Sequence, residues 1–335
     1  MTIRQNMGLH SLVRVARQSA FGSAASDGFR PVRYFNWPLV ETRPLVDSNA
    51  LGAAPANFGD ALPPVQGARA VPPGVMRVPL CWNEIGIWLG LLLGNPVSTD
   101  LGAGNYSHVF TGGAETIPVA TADVRRTRIS GTDTWDAWHD LAVLQAEFAL
   151  TPGEEGHAEG AFTVQASRLH ATGSSPIDST PLDALTPDWI ARHRGELRVD
   201  TDGDVASIVG AQLTYASGFA AERDARDADY ITNYARSALA SATMTFTARY
   251  RSNALLTIAD AGLPRVFEFT WAKNANTALT LALRGTLTPI RGTAFEGPGG
   301  IEQQFSLRGH QTTGGSAAAM FVATLLNQQA GSVYA

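Results

Sequence analysis

Apolar and polar residues alternate along much of this 335-residue chain, and this pattern constrains the fold more than any other feature. Residues 243–250 place four apolar side chains on one side and three threonines and an arginine on the other. The same period of two recurs in 144–150, 161–169, 208–215, 267–271, 279–287 and 301–307. Alternate side chains of a strand point to opposite faces, so the pattern predicts antiparallel sheets with one packed face and one wet face. We therefore predict a mainly β fold.

The composition is compatible with such a fold and argues against two kinds of partner. Hydrophobic residues make up 44% of the chain, and its 33 glycines and 18 prolines suit short strands joined by turns. The net charge is −5, and no basic cluster is longer than residues 125–128, so a surface that grips duplex DNA is not predicted. The longest apolar stretch, 85–93, is far shorter than the roughly 20 residues of a membrane span, so no membrane contact is predicted.

A strand that leads into a short helix ended by glycine occurs twice, in residues 71–94 and 242–264. In the first copy Asn83 is the expected N-cap and Gly94 the expected stop. In the second copy Gly262 ends the helix. The repetition predicts tandem β-sandwich or barrel domains, each with a short flanking α-helix.

Four segments follow from this division of the chain. They are an N-terminal arm (1–30), a first β domain (31–170), a linker (171–195) and a second β domain (196–335). The arm is too short to bury itself, so we expect it to be loose or docked on something else.

Local patterns within these segments predict further elements. A strand is expected at residues 34–37, and a long loop at 47–73. Thr186 begins and Gly195 ends a predicted helix in the linker. Residues 320–326 fit either a strand or a helix.

The chain contains no recognisable catalytic motif for nucleophilic attack, zinc binding or phosphate binding. Cys81 is the only cysteine, so an intrachain disulfide is excluded, and its apolar surroundings predict a small buried residue. The strongest candidate patch is residues 135–140. Trp135, Trp138 and His139 there could form an aromatic platform for sugars, which makes a β-sandwich carbohydrate-binding protein the alternative function.

A hydrolase centred on His139 and Asp140 is a third interpretation, but the sequence offers no nucleophile to accompany them. No second cluster of histidine or acidic residues complements the patch, which favours packed tryptophans at a sheet edge. We therefore predict no catalytic, cofactor-binding or metal-binding residues, and no enzyme.

Several segments, taken in order, resemble the tail tube proteins of long-tailed (siphovirus-like) bacteriophages. Residues 14–23 are similar to that family's Gln-Thr-Ala-Phe-Gly-Thr type of N-terminus, with Ser19 and Ser23 in place of the threonines. The leucine-rich turn that ends at Gly94, followed by Tyr-Ser-His-Val-Phe at 106–110, resembles a further stretch of the family. The second half of the family's sequences is similar to three further segments here, namely residues 210–215, 295–300 and 325–327.

The resemblance implies a structural virion protein, a β-sandwich with a flanking helix, whose rings stack into a hollow tube. Family members with one domain per chain form rings of six, and duplicated-domain members form pseudo-sixfold rings of three. The two related halves favour three chains here. Double-stranded DNA would pass through without tight binding, and the tape measure, tail terminator and distal tail proteins are the other expected partners. The expected location is the virion tail, after assembly in the bacterial cytoplasm.

Two groups of residues are predicted to serve such an assembly. Contacts between rings are expected from apolar residues in the arm (Phe21), just before the long loop (Leu45) and within it (Phe58). An acidic lumen would keep phosphates from adhering. The candidates for it are Glu222, Asp224, Asp227 and Asp229.

Overall fold

The computed structural model describes residues 11–47, 63–127, 132–151, 155–199, 207–224, 229–249, 254–289, 302–312 and 318–334. These residues form twenty strands and two α-helices. In the first half these are β1 Leu12–Arg17, β2 Arg30–Val32, β3 Leu45–Val46, β4 Val65–Gln66, β5 Gly74–Pro79, α1 Ile85–Leu93, β6 Val97–Gly102, β7 Asn105–Thr111, β8 Ala120–Arg126, β9 Thr134–Leu150, β10 Glu159–Gln165 and β11 Arg168–Gly173. In the second half they are β12 Gly195–Val199, β13 Ser207–Ala216, β14 Phe219–Glu222, β15 Asn233–Arg236, β16 Ser241–Arg249, α2 Ala254–Ala261, β17 Arg265–Asn274, β18 Thr277–Leu287, β19 Glu302–Gly309 and β20 Phe321–Asn327.

Sixteen of the strands form one antiparallel sheet, and two separate hairpins, β3–β4 and β14–β15, lie outside it. The main path runs β2-β1-β8-β9-β13-β16-β19-β18-β20-β7-β6, with β10, β11, β5, β17 and β12 joined from the side. Strand β9 pairs with β8 and β11 along its first half and with β10 and β13 along its second half. Strand β18 pairs with β20 and then with β19 at successive positions, so both long strands join branches of the sheet. The predicted mainly β fold is confirmed.

The alternation of the sequence becomes alternation of burial. In β18 the residues Leu279, Leu281 and Leu283 are fully buried, and the residues between them are half-exposed. Most of the buried apolar side chains form one large cluster drawn from both halves of the chain, and a second, small cluster contains Tyr234. Two strand pairs, β9 with β13 and β7 with β20, also join the halves. The sheet is therefore continuous across the predicted linker, and the division into two domains stays a prediction.

The two strand–helix units exist as predicted, but their surroundings differ. Helix α1 is buried and ends at Gly94, whose φ is 100° and whose N–H donates to the Gly90 carbonyl. Helix α2 is followed by Gly262 with φ 62°. Strand β5 has one described partner, whereas β16 lies between β13 and β19. The units therefore share local structure but not their position in the sheet.

The expected cap of α1 is wrong. The Asn83 side chain donates instead to the Thr186 carbonyl oxygen at 2.8 Å, and Glu84 stands at the N-cap without a side-chain capping bond. Glu84 is ion-paired with Arg33. A tertiary contact has thus taken the side chain that local pattern assigned to the cap.

Two other local predictions are wrong for the same kind of reason. Residues 34–37 form no strand, because Asn36 bonds the backbone of β5 through its side chain. Residues 186–195 form no α-helix, because the backbone of 188–192 bonds to residues 80–82 and 156–158, which leaves a single 3-10 turn, Arg192–Arg194. The ambiguous 320–326 segment is strand β20.

Part of the N-terminal segment, which was expected to be loose or docked on something else, packs within its own chain. Strand β1 pairs with β2 and β8, and Val13 and Val15 are buried. Arg14 forms a buried ion pair with Asp123 and lies 4.5 Å from the Trp135 ring centroid. Residues 12–17 therefore belong to the sheet and not to a loose arm.

Candidate assembly surfaces

The hairpin β3–β4 presents apolar side chains to solvent. Its two strands pair at Leu45 with Gln66 and at Val46 with Val65. Leu45 is 65% exposed, Val46 54% and Val65 63%. Of these three residues, only Leu45 was predicted from the sequence. Val65 was not predicted, because its place opposite Val46 depends on the pairing of the two strands.

Ionic contacts hold this hairpin against the rest of the molecule. Arg69 pairs with Glu41 at 3.1 Å, and the other oxygen of Glu41 accepts the Leu169 N–H at 2.9 Å. Arg43 lies 3.9 Å from Asp229. These pairs fix the base of the hairpin, and its apolar side chains remain exposed.

The predicted acidic segment lies beside the same hairpin. Glu222 ends β14 and is exposed, as is Asp224, while Asp229 is half-buried and accepts the Arg69 N–H at 3.3 Å. The Arg223 guanidinium donates to the Arg69 carbonyl at 2.7 Å. Asp227 lies outside the described residues. The acids are thus interleaved with arginines, and the local charge is mixed.

Phe21 lines a cavity of about 730 Å³ between residues 17–21, residues 115–119 and strand β15. Its ring packs edge-on against Tyr234, with 5.8 Å between centroids. The Tyr234 hydroxyl lies within 3.1 Å of the backbone oxygens of Asp140 and Gln165, and burial raises its pKa. Phe21 is half-buried within its own chain, and Phe58 lies outside the described residues. A role for either in contacts between rings stays a prediction.

The aromatic platform expected around Trp135 is not presented to solvent. Trp138 is buried, and so is His139, whose ring stacks on His170 with 4.4 Å between centroids. Trp135 packs against the Arg14 guanidinium. At this point β9 pairs with β8 along one edge and with β11 along the other. Its tryptophans are therefore part of the packed subunit. The geometry does not support the sugar-binding interpretation.

His139 and Asp140 are not arranged for hydrolysis. Asp140 accepts the Ser167 hydroxyl at 2.6 Å and the Gly22 N–H at 2.7 Å, while the Nδ1 of His139 is buried without a hydrogen-bond partner. Burial lowers the pKa of His139 to about 4, with further lowering from His170 and Arg168. The histidine is therefore neutral near pH 7 and makes no bond to a hydroxyl that it could activate.

Among the described residues, no group of three or more histidine, cysteine or acidic side chains could hold a metal ion. Cys81 is buried and its sulfur accepts the Asp188 N–H at 3.3 Å, as a small core residue would. None of the described helices is both long and apolar enough to span a membrane.

One family model matches most of the chain. A family model described as phage tail tube protein matches residues 8–309, which include all of the strands except β20. No curated protein matches the sequence. Because the match covers most of the chain, this protein belongs to the phage tail tube protein family.

Proposed function

We propose that this chain polymerises as stacked rings into the hollow tube of a phage tail, through which double-stranded DNA passes to the host. The observation that carries the proposal is the apolar hairpin β3–β4, whose Leu45, Val46 and Val65 are each more than half exposed. A lone two-stranded hairpin is marginally stable in water. Covering one such side chain stabilises an assembly by roughly 1.5–3 kcal/mol. A second copy in the adjoining ring is the cover that a tube supplies.

The two strand–helix units support a proposal for the number of chains in a ring. Each helix leads directly into an antiparallel hairpin, β6–β7 after α1 and β17–β18 after α2. Two comparable units per chain favour three chains per ring over six. The division into an arm, two β domains and a linker accompanies this proposal.

The DNA path is proposed to carry the acidic residues Glu222, Asp224, Asp227 and Asp229. Acids repel phosphates, and arginines beside them would otherwise hold DNA through counterion release. The tape measure, tail terminator and distal tail proteins are the proposed partners at the tube's interior and ends. Assembly in the bacterial cytoplasm would precede incorporation into the virion tail.

Electron microscopy of the purified protein, or of the particle that contains it, tests the proposal. Stacked rings are expected, and their rotational symmetry together with the mass per ring distinguishes three chains from six. Leu45→Asp should shorten or abolish tubes because a charge would be buried between rings. Leu239→Asp is the matched control, since Leu239 is 86% exposed and lies outside the hairpin. A wild-type chain that stays monomeric would exclude the proposed function.

A further inference from the structure

Within the described residues, five strands of the main sheet pair with only one neighbour: β2, β5, β6, β11 and β12. The outer backbone groups of such strands are a template for pairing with another chain, unless something covers them. Other groups of the chain cap some of these five edges and leave the others accessible to a strand of a second chain.

Three of the edges are capped by the chain itself. The Asn36 side chain bonds both the Val75 carbonyl (2.8 Å) and the Arg77 N–H (2.7 Å) on β5. On β11 the Leu169 N–H donates to Glu41. Strand β2 has only three residues, with Pro31 at its centre, and proline has no N–H to offer. None of these three edges is free to add a strand.

Strand β6 is uncapped. All six of its residues are exposed, with Val97 at 71% and Leu101 at 53%, and it contains no proline, lysine or arginine. Among the described residues, its hydrogen bonds apart from the pairing with β7 are those of its own turn and a bond between Ser98 and His108 on β7. Asp100 and a register shift before Gly102 lie at the far end of the strand, whereas residues 97–99 carry neither a charge nor a shift. An exposed edge without such protection is a site for strand addition.

Strand β12 is the second uncapped edge. Its backbone pairs with β17, and no other described main-chain group bonds to it. Its two charged side chains, Glu196 and Arg198, pair with each other at 2.7 Å instead of reaching across the edge. Leu197 and Val199 point into the core, so the strand is held firmly in place.

These two edges are the opposite ends of one antiparallel run, β12-β17-β18-β20-β7-β6. Because the run has six strands, an even number, β6 and β12 point in opposite directions. A second copy related by rotation about a ring axis would therefore place its β12 antiparallel to β6. The contact joins different surfaces of the two copies, which is the kind of contact that closes rings.

The molecule already contains a comparable pairing. Strand β17 opens the hairpin that follows α2, and β12 covers its edge. Strand β6 opens the hairpin that follows α1, and its equivalent edge is bare. A strand like β12 therefore fits the outer edge of a hairpin that follows one of the two helices.

We infer that the free edge of β6 receives β12 of a second copy, antiparallel, and that this pairing joins neighbours within a ring. The inference rests on the proposed ring assembly and names the surfaces that form it. The exposed Val97, Thr99 and Leu101 share the face opposite Ser98, whose hydroxyl reaches the buried His108. On β12, Glu196 and Arg198 lie on the face opposite the buried Leu197.

Cysteine cross-linking tests the pairing directly, because the only natural cysteine, Cys81, is buried. Chains with Thr99→Cys are mixed with chains carrying Glu196→Cys or Arg198→Cys, assembled, and oxidised. Two β12 positions are used because the register between copies is open. A covalent dimer of unlike chains is expected in the mixture, with either chain alone remaining uncross-linked. Dimers of Thr99→Cys chains alone would mean pairing of β6 with itself and would overturn the inference.

Tubes that form without any cross-link between unlike chains would also overturn it, while the proposed function stands. Failure of every chain to assemble would overturn both. In a second variant, Val97→Lys should reduce the assembled fraction about tenfold or more, because a charged side chain protects an edge from pairing. Leu239→Lys, at an apolar residue that is more exposed than Val97 and lies off the edge, should assemble as wild type. Equal assembly of both lysine variants would contradict the inference.

Discussion

At the scale of single residues, one side chain near the C-terminus holds together parts distant in sequence. Tyr334 is buried, its ring packs on Gly86 of α1, and its hydroxyl donates to the Asn83 carbonyl at 2.8 Å. Asn327 donates to the same hydroxyl and to the Trp82 carbonyl. The entry of α1 is thus fastened by the chain's last described residue. Gly86 and Gly90 lie one turn apart on the same face of α1, and the aromatic ring of Tyr334 approaches that face closely at Gly86.

Two substitutions on one helix face test this contact. Gly86→Ala would place its Cβ 2.7 Å from the Tyr334 ring, so we expect a loss of about 1–3 kcal/mol in the free energy of unfolding. Gly90→Ala meets its nearest atom at 3.4 Å, and alanine favours helix by about 1 kcal/mol, so it should be neutral or stabilising. Denaturant unfolding of both variants measures the difference. Equal effects would show that Tyr334 does not press on the helix.

At the scale of elements, strand β1 shows that the N-terminal region has a structural role inside the subunit. Removing residues 1–25 would expose β8, remove Val13 and Val15 from the core, and leave Asp123 buried without Arg14. A buried charge that loses its partner costs about 3–5 kcal/mol.

We therefore expect the chain lacking residues 1–25 to be unfolded or aggregated. The chain lacking only residues 1–10 keeps every described strand and should fold. Circular dichroism and thermal melting compare the two. A cooperative melt at the wild-type temperature from the chain that lacks residues 1–25 would show that β1 is dispensable.

At the scale of the whole molecule, burial of a neutral histidine links stability to pH. The pKa of His139 is lowered from 6.5 to about 4, chiefly by burial. The unfolded chain therefore binds the additional proton between these values, so the free energy of unfolding should fall as pH falls from 6.5 to 4. The contribution of this one group is at most about 3 kcal/mol.

Chemical unfolding across that pH range measures the slope. His139→Gln should flatten it, since glutamine does not titrate. His157→Gln, at an exposed histidine, is the matched substitution. An identical slope in all three proteins would assign the pH dependence to other groups.

Elements whose pattern is local could be predicted from the sequence. Period-two alternation identified the long strands, because burial on one face of a strand repeats every second residue whatever its neighbours are. Glycine stops located the ends of both helices, because Gly94 and Gly262 adopt a positive φ that other residues resist. The absence of catalytic motifs, together with the resemblance to tail tube proteins, indicated a function carried by surfaces.

Only the tertiary structure decided which strands are neighbours, which edges are capped and which polar side chains are already engaged. Asn36 and Glu41 cap edges whose partner strands lie far away in sequence, and Asn83 bonds a carbonyl about a hundred residues away. Burial of Trp138 and His139 depends on strands from both sides, so an apparent binding patch became core. Such pairings depend on long-range contacts, whose energies no local pattern records. The uncapped edges of β6 and β12 can therefore be recognised only when the contacts of the other described edge strands are known.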